Sequence, residues 1–481
     1  MKVAMKFIRP LAACATLLLL ACSHAPESPN AAAQPADDTT FADGDWHPGV
    51  ALRRVGDAFG EVIERIVVTP NGGVAAIRRS YRAADDLNGL STLETFDASG
   101  RVLASAPAPQ TVIVIDIVVH PSGEFTVVEV HDENLVRPQL WLRRLGADLR
   151  TLRETPLRDQ PSAHELLMYY FDRQPDGTSV IGKVEPMAAS SDGIVHVDPP
   201  AWLERHLLLA ARGEEAILSA LGYGTKIYVL AANLDVLWSR QVMPSTSSTT
   251  TLFGMDALTV DGAGRIGVAL SVDQEVIQAY ERHFARDDIA WSGPFYQTMV
   301  TRIAADGQMP TMRLFSHGDA DAQPIVAGVA LRDDEVTLCG SVHMKNKFQE
   351  PNHTMEWDLS WVRGPLSGGP VTSQIIDVKR DDYTIDCKVD ANGGVLFAGT
   401  NDFVQVDTNS WVEFGQGFLY GVDATGRETS RVALRGPRHT QVQAFARSEG
   451  GHVFFAGSFD GPITHTPTTE WNKKAMLGIW H

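Results

Sequence analysis

One hairpin pattern recurs along the chain and constrains its fold more than any other feature. It is clearest in residues 387–399, CKVDANGGVLFAG, and in residues 445–457, FARSEGGHVFFAG. Each copy predicts a strand, a tight turn that contains glycine, and a second strand that ends in glycine. The second strands read VLFA and VFFA, and such continuous apolar runs predict that both faces of each strand are covered.

Further copies of the hairpin lie towards the N-terminus. They begin at Arg65, Asp116, Leu166, Leu207, Leu258 and Val329. A second hairpin, such as residues 92–103 or 418–429, follows most of them. Two hairpins make a four-stranded antiparallel sheet with a period of roughly 45–60 residues, which is typical of a β-propeller blade. We therefore predict an all-β protein with a single β-propeller of eight four-stranded blades. Seven blades is the alternative, because residues 163–203 are irregular.

The two ends of the chain are predicted to close the ring of blades. After the last hairpin only one clear strand remains, at residues 475–480. The missing fourth strand is found in residues 50–55, VALRRV, which resemble residues 432–435, VALR. We expect this N-terminal strand to complete the C-terminal blade and so to remove two exposed sheet edges.

The first residues predict an export signal that is separate from the fold. Three basic residues precede an apolar stretch at residues 11–20, which is too short to span a bilayer. The stretch leads into Leu-Leu-Ala-Cys22 and resembles a bacterial lipoprotein lipobox. The alternative is an ordinary secretory signal in which Cys22 is incidental. The resemblance implies that Cys22 is lipidated, and that Ser23 after it directs the protein to the outer membrane.

These features predict three segments. A lipoprotein signal peptide occupies residues 1–21, a disordered tether rich in Ser, Ala, Pro and Asp occupies residues 22–45, and the propeller occupies residues 46–481. We expect an exported, lipid-anchored protein at the outer membrane, either on its periplasmic side or at the cell surface.

The acidic composition excludes some partners. The formal net charge is −18, with 41 basic and 59 acidic residues, and loss of the basic leader makes the balance more negative still. Such a charge repels nucleic acid and anionic lipid headgroups. We therefore expect no nucleic-acid partner, and a membrane attachment that depends on the lipid alone.

Two strings in the last units carry a family resemblance. Residues 390–399, DANGGVLFAG, and residues 423–427, DATGR, resemble the bacterial propeller repeats of the SBBP and delta-60 type. The resemblance covers most of residues 50–481 and implies a propeller in an exported, often lipid-anchored protein. These repeats have no single activity, so the resemblance implies no catalytic residue.

Two cysteines lie within the repeated hairpins. Cys339 takes the place of an alanine in a second strand, and Cys387 takes the place of Phe445 in the first strand of the next unit. Export favours disulfides. Packed sheets are about 10 Å apart, so a bridge needs Cβ atoms that lean towards each other. The sequence is compatible with a Cys339–Cys387 disulfide and equally with two separate buried thiols.

Tryptophans recur in the long connections between the second and third strands of the last four units. The connections span residues 273–298, 343–358, 401–416 and 459–474, and they contain Trp291, Trp357, Trp411 and Trp471. Equivalent connections emerge on one face of a propeller, so these tryptophans predict a binding face for a protein or glycan partner. The alternative is that each tryptophan folds back onto its own blade.

Signals for catalysis and metal binding are weak. The string at residues 317–321, HGDAD, places oxygen ligands close together but does not match a twelve-residue calcium loop, and no Gly-x-Ser-x-Gly turn occurs. We predict no catalytic residue, no metal site and no cofactor. The favoured function is a non-catalytic binding or scaffold protein at the cell envelope. The alternative is a hydrolase that acts on glycans or related polymers at the central funnel, with carboxylates from separate blades.

Overall fold

Burial falls from the second strand of a unit to its outermost strand. All residues of Val453–Phe459 are buried in the computed structural model of the chain, as the continuous apolar run predicts. The outermost strands Val102–Pro107 and Thr151–Pro156 are exposed or half-buried along their length. Each sheet is therefore covered on both faces near the centre and open at its outer edge, which is the arrangement of propeller blades.

The structure describes a defined part of the chain, and its strands are numbered in chain order. The described residues are 50–56, 60–81, 89–131, 139–157, 171–173, 179–181, 207–221, 225–243, 257–273, 277–278, 281, 296–308, 311–317, 322–344, 357–379, 382–407, 410–435, 439–459, 463–464 and 474–481.

The first half of the strands runs as follows: β1 Val50–Val55, β2 Gly60–Val68, β3 Val74–Tyr81, β4 Leu90–Phe96, β5 Val102–Pro107, β6 Val112–Val119, β7 Phe125–His131, β8 Gln139–Leu145, β9 Thr151–Pro156, β10 Phe171–Arg173, β11 Ser179–Ile181, β12 Leu207–Arg212, β13 Glu215–Leu221, β14 Thr225–Leu230 and β15 Val236–Gln241. The second half runs as follows: β16 Ala257–Val260, β17 Ile266–Asp273, β18 Tyr296–Ile303, β19 Thr311–Phe315, β20 Ala322–Arg332, β21 Glu335–Met344, β22 Trp357–Pro365, β23 Thr372–Ile376, β24 Tyr383–Val389, β25 Val395–Asp407, β26 Ser410–Val422, β27 Glu428–Leu434, β28 Thr440–Arg447, β29 Val453–Phe459, β30 Ile463–Thr464 and β31 Lys474–Trp480.

In the part of the chain that the structure describes, the strands form seven four-stranded antiparallel blades, and the short β30 adds to one of their sheets by pairing with β26. Blade 1 is β2–β5, blade 2 is β6–β9, blade 3 is β12–β15, blade 4 is β16–β19, blade 5 is β20–β23 and blade 6 is β24–β27. Blade 7 consists of β28, β29, β31 and β1. The prediction that the N-terminal strand closes the ring is confirmed, because β1 pairs with β31 from Val50 opposite Trp480 to Val55 opposite Ala475.

The prediction of eight blades is wrong, and the alternative of seven is correct. Of the copy placed at residues 166–182, the structure describes residues 171–173 and 179–181, and these pair as the two-stranded hairpin β10–β11. The inner strands contact one another in the closed order β2, β6, β12, β16, β20, β24, β28 and back to β2. Blade 2 thus packs directly on blade 3, and their side chains share one apolar core. Among the described residues, this copy of the hairpin therefore contributes a two-stranded sheet and no four-stranded blade.

Strand direction gives the two faces of the propeller different connections. The lower face carries the turns that join first to second and third to fourth strands. Several of these turns place glycine at positive φ, for example Gly393 at 85° and Gly426 at 83°, which is the conformation that tight turns require. The upper face carries the connections from second to third strands and from each blade to the next.

Candidate functional site

Six polar and aromatic residues meet on the upper face where blade 5 adjoins blade 6. We call this group the 5–6 junction, and its members are His343, Trp357, Asp358, Asp377, Asp382 and Tyr383. They lie at the end of β21, at the start of β22, just after β23, and around the start of β24. Because neighbouring strands are antiparallel, all four of these strand ends reach the same face.

Aromatic rings form one half of the 5–6 junction. Trp357 is opposite His343 in the β21–β22 ladder, and their ring centroids are 4.8 Å apart. Trp357 also meets Tyr383 edge to face across the blade boundary, at 5.5 Å between centroids and 80° between planes. His343 is buried, whereas Trp357 and Tyr383 are half-buried. The indole ring is therefore held by both blades and still reaches the surface.

Three carboxylates form the other half of the 5–6 junction. Asp358, Asp377 and Asp382 each offer an oxygen that lies within 4.8 Å of the other two. Asp358 and Asp382 are 3% and 0% exposed, while Asp377 is exposed. Two carboxyl groups are thus held inside the protein, and the third lies exposed to solvent.

Asp382 is the best-defined of the three. Its Oδ2 accepts hydrogen bonds from the backbone N–H groups of Val378 at 2.7 Å and Lys379 at 2.9 Å. Its own N–H donates to the carbonyl oxygen of Trp357 at 2.6 Å. Its other carboxylate oxygen, Oδ1, is buried and has no hydrogen-bond partner among the described residues. The side chain is therefore fixed in place with one oxygen unsatisfied.

This environment changes the acidity of Asp382. Burial raises the pKa of the carboxyl from its ordinary 3.8 to about 7, and the negative charge of Asp358 adds to the rise. The backbone donors of Lys379 and Val378, with the side chain of Asn401, act in the opposite direction on the pKa but do not cancel the effect of burial. Perturbed acidity of this kind is common at functional sites.

A disulfide joins the same two blades below the junction. It links Cys339 of β21 to Cys387 of β24, with 6.2 Å between their Cα atoms. Gly328 gives the bridge room, because a Cβ at this position would stand 2.2 Å from the carbonyl oxygen of Cys387 and 2.9 Å from Cys339 Sγ. Blades 5 and 6 are thus connected by a covalent bond as well as by packing.

Carboxylates on the inner strands have a different role. Asp116 of β6 accepts a hydrogen bond from the N–H of Leu209 in the next inner strand at 2.7 Å. Asp386 of β24 does the same with the N–H of Phe445 at 3.0 Å. Each also has a cation nearby, since Arg65 lies 3.6 Å from Asp116 and Lys388 lies 3.5 Å from Asp386. These two carboxylates fasten blade to blade.

The structure places only part of the predicted site. Trp357 belongs to the 5–6 junction, where it packs partly against the adjacent blade. Trp411 lies within β26, because residues 401–416 extend the β25–β26 hairpin instead of forming a loop, and its side chain is outside the described part. Cys22, Trp291 and Trp471 are also outside the described residues.

The partners of Trp357 were missed because distant segments supply them. His343, Asp377, Asp382 and Tyr383 follow no local motif. One signal was available, however: each of these residues stands at a strand end that the repeat assigns to the upper face. His317, from the string at residues 317–321, proves to be buried between Thr298 and Ser360, and burial lowers its pKa to about 4. It is therefore a neutral core histidine.

Comparisons with known proteins assign no family to the chain. No protein-family model matches the chain, and no curated protein matches it. Among solved structures it is similar to the β-propeller domain of the trilobed protease of Pyrococcus furiosus, with 9% identity over 83% of this chain and 91% of that one, at a TM-score of 0.39. An α-L-arabinanase of Penicillium chrysogenum has 9% identity over 76% of this chain and 91% of that one, at 0.41.

An ulvan lyase of a polysaccharide lyase family is a third similar structure. It has 8% identity over 88% of this chain and 95% of that one, at a TM-score of 0.47. At such low identity and TM-scores, these similarities carry no argument about activity. In the part of the chain that the structure describes, no helix has the length and apolarity needed to cross a membrane.

Proposed function

We propose that the chain is a non-catalytic binding protein of the cell envelope that holds a partner at the 5–6 junction. In this proposal a lipid on Cys22 anchors it at the outer membrane. The observation that carries the proposal is the half-buried pair Trp357 and Tyr383, in edge-to-face contact at 5.5 Å on the upper face. Aromatic rings that are fixed in advance lose little conformational entropy on binding and make good anchors.

The surroundings of the aromatic pair limit the chemistry of the partner. Asp377 is exposed beside it, and the whole chain is acidic. An anionic partner is therefore repelled, and a neutral or basic one is favoured. A neutral glycan, stacked on the indole and hydrogen-bonded to the exposed carboxylate of Asp377, meets this requirement, and so does a basic protein surface.

Two aspartates of the inner strands, Asp116 and Asp386, support the non-catalytic part of the proposal. A funnel hydrolase needs acidic groups that reach the substrate. Asp116 and Asp386 are instead bonded to the backbone of the next blade. Their hydrogen bonds account for their presence on the inner strands without any catalytic role.

Crosslinking tests the location of the binding site. The full chain would carry a photoreactive phenylalanine analogue at position 383, or at position 103 as a control, since Leu103 is an exposed residue of the outermost strand β5. We expect crosslinks to a discrete envelope component from position 383 only, and their loss on Trp357→Ala. Equal crosslinking from both positions would contradict the proposal. A glycan array probed with the same proteins would distinguish a carbohydrate partner from a protein.

A glycan hydrolase is the second candidate, and one observation favours it. Asp382, with its pKa near 7, lies within 4.8 Å of two other carboxylates, which is close to the spacing of a retaining pair. However, Asp358 and Asp382 are buried, and a general acid must touch its substrate. Release of new reducing ends from an array glycan, abolished by Asp382→Asn, would establish the enzyme. Binding without release favours the first candidate.

A further inference from the structure

The carboxylate cluster of the 5–6 junction has the composition of a cation site. Asp358 comes from β22, Asp377 follows β23, and Asp382 precedes β24, so three separate segments converge. All the donors are carboxylate oxygens, which hard divalent cations prefer. Acidic groups also gather on surfaces without any cation, so the cluster needs a second observation to stand as a site.

That observation is the unsatisfied oxygen of Asp382. The residue is fully buried, two backbone N–H groups occupy its Oδ2, and Oδ1 has no hydrogen-bond partner among the described residues. A buried polar atom normally finds a partner because desolvation without one is unfavourable. Here one buried oxygen of a residue in the three-carboxylate cluster lacks a hydrogen-bond partner among the described residues, and a bound cation would supply one.

We propose that Asp358, Asp377 and Asp382 bind a Ca²⁺ ion at the 5–6 junction. Oxygen ligands stand about 2.3–2.6 Å from Ca²⁺, so two on opposite sides are roughly 5 Å apart. The three oxygens lie within 4.8 Å of one another, which fits inside that span. Mg²⁺ needs shorter metal–oxygen distances and a nearly ideal octahedron, so we expect these three carboxylates to bind it more weakly than Ca²⁺. The exposed Asp377 gives the ion a route from solvent.

Binding would add a connection at the upper face between two blades that the Cys339–Cys387 disulfide already joins. The three ligands connect β22 of blade 5 to the segment that leads into β24 of blade 6. Trp357 and Tyr383 directly adjoin two of the ligands in sequence, so the ion would also fix the aromatic pair. The inference does not depend on the identity of the partner, because calcium affinity and its effect on stability are measured without one.

A thermal-shift experiment on the full chain tests the site. Protein freed of metal with a chelator would be melted with and without millimolar CaCl₂. We expect Ca²⁺ to raise the Tm by about 3 °C or more, and MgCl₂ to raise it less. The rise should vanish in Asp382→Asn and Asp377→Asn. Asp423→Asn, which removes the same charge from a lower-face turn, should keep the rise.

Terbium luminescence provides a second readout. Tb³⁺ occupies Ca²⁺ sites and is excited by nearby tryptophan, so Trp357 should sensitise it and excess Ca²⁺ should quench it by displacement. Asp377 is exposed, so its asparagine variant is expected to fold even if a variant of buried Asp382 does not. The proposal is overturned if Ca²⁺ leaves the wild-type Tm unchanged, or if it raises the Tm of both site variants as much as that of Asp423→Asn.

Discussion

Aspartates on the two faces of the propeller have opposite environments. In the lower-face turn of blade 1, Asp97 Oδ1 accepts hydrogen bonds from the N–H groups of Ser99 at 2.9 Å and Arg101 at 3.0 Å. The hydroxyl of Ser99 donates to the same oxygen, and these bonds lower the pKa of Asp97 to about 2. On the upper face, burial raises the pKa of Asp382 to about 7.

The difference shows which carboxylates the fold requires. Asp423 repeats the arrangement of Asp97 in blade 6, with bonds from the N–H groups of Thr425 at 2.8 Å and Arg427 at 3.1 Å, and its pKa is lowered too. Turn aspartates therefore stabilise the native state in their charged form. A buried carboxylate with an unsatisfied oxygen opposes folding, and its presence is better explained by a ligand.

The largest expected effect comes from an upper-face ion pair that is fully buried. Arg79 is 0% exposed, and its Nε donates to Glu64 Oε1 at 2.6 Å. Arg79→Met would leave the buried carboxylate of Glu64 without this cation, at a cost of about 3–5 kcal/mol of unfolding free energy. Arg101→Met, at the exposed pair with Asp97 on the lower face, should cause no measurable loss. Urea unfolding measures the loss of unfolding free energy in each variant. Equal losses in Arg79→Met and Arg101→Met would contradict the prediction.

The disulfide between blades 5 and 6 is expected to have the next largest effect. Cys339 and Cys387 are 48 residues apart in sequence, and a bridge of this kind restricts the unfolded chain. The double variant Cys339→Ala/Cys387→Ala should lose about 2–4 kcal/mol. A reductant should lower the Tm of the wild type towards that of the double variant and leave the variant unchanged. If the reductant leaves the Tm of the wild type unchanged under unfolding conditions, the disulfide is contradicted.

His317 predicts a pH dependence of stability on the upper face. Burial lowers its pKa from 6.5 to about 4 in the folded state, so the folded protein favours the neutral ring. Its contribution is therefore fully present above pH 6.5 and is lost as the pH falls towards 4, by roughly 3 kcal/mol. The difference in unfolding free energy between the wild type and His317→Gln should narrow over this range. A difference that stays constant with pH would refute the effect.

The smallest effect is expected in a single lower-face turn. Asp261 Oδ1 accepts hydrogen bonds from the N–H groups of Ala263 and Arg265, both at 2.9 Å. Asp261→Ala should cost about 1–2 kcal/mol, because the turn loses both bonds. Asp261→Asn keeps an acceptor oxygen and should cost less. Equal losses of stability in the two variants on thermal unfolding would contradict this account, because they would show that the charge, which both changes remove, matters more than the acceptor oxygen.

Much of the fold was predictable because its signals are local. Short sequence segments indicate the glycine turns and the apolar second strands. A short segment, residues 50–55, also indicates the strand that completes the C-terminal blade. The blade count was not predictable in this way, since residues 166–182 carry an apolar run and a turn, yet the described residues among them pair only as the short hairpin β10–β11. A blade requires four strands, and the sequence of one hairpin cannot show whether the other forms.

The candidate site was predictable only at Trp357, where it coincided with the recurrence of tryptophan along the chain. Trp357 was singled out because tryptophans recur in equivalent connections. Asp358, Asp377 and Asp382 were not, because they become neighbours only when three strand ends of two blades meet. The burial of Asp358 and Asp382 depends on packing between blades, and no spacing of residues in the sequence indicates it.

The central claim is that the fold needs the carboxylates of the lower-face turns and does not need that of Asp382. Unfolding of Asp382→Asn and Asp423→Asn, in a chelator at about pH 8, tests it most directly, because both changes remove one charge. The raised pKa of Asp382 means that stability is lost as the pH rises from 3.8 to about 7. Asp382→Asn should therefore gain about 1–3 kcal/mol, while Asp423→Asn should lose a little. A loss in Asp382→Asn as large as that in Asp423→Asn would contradict the account.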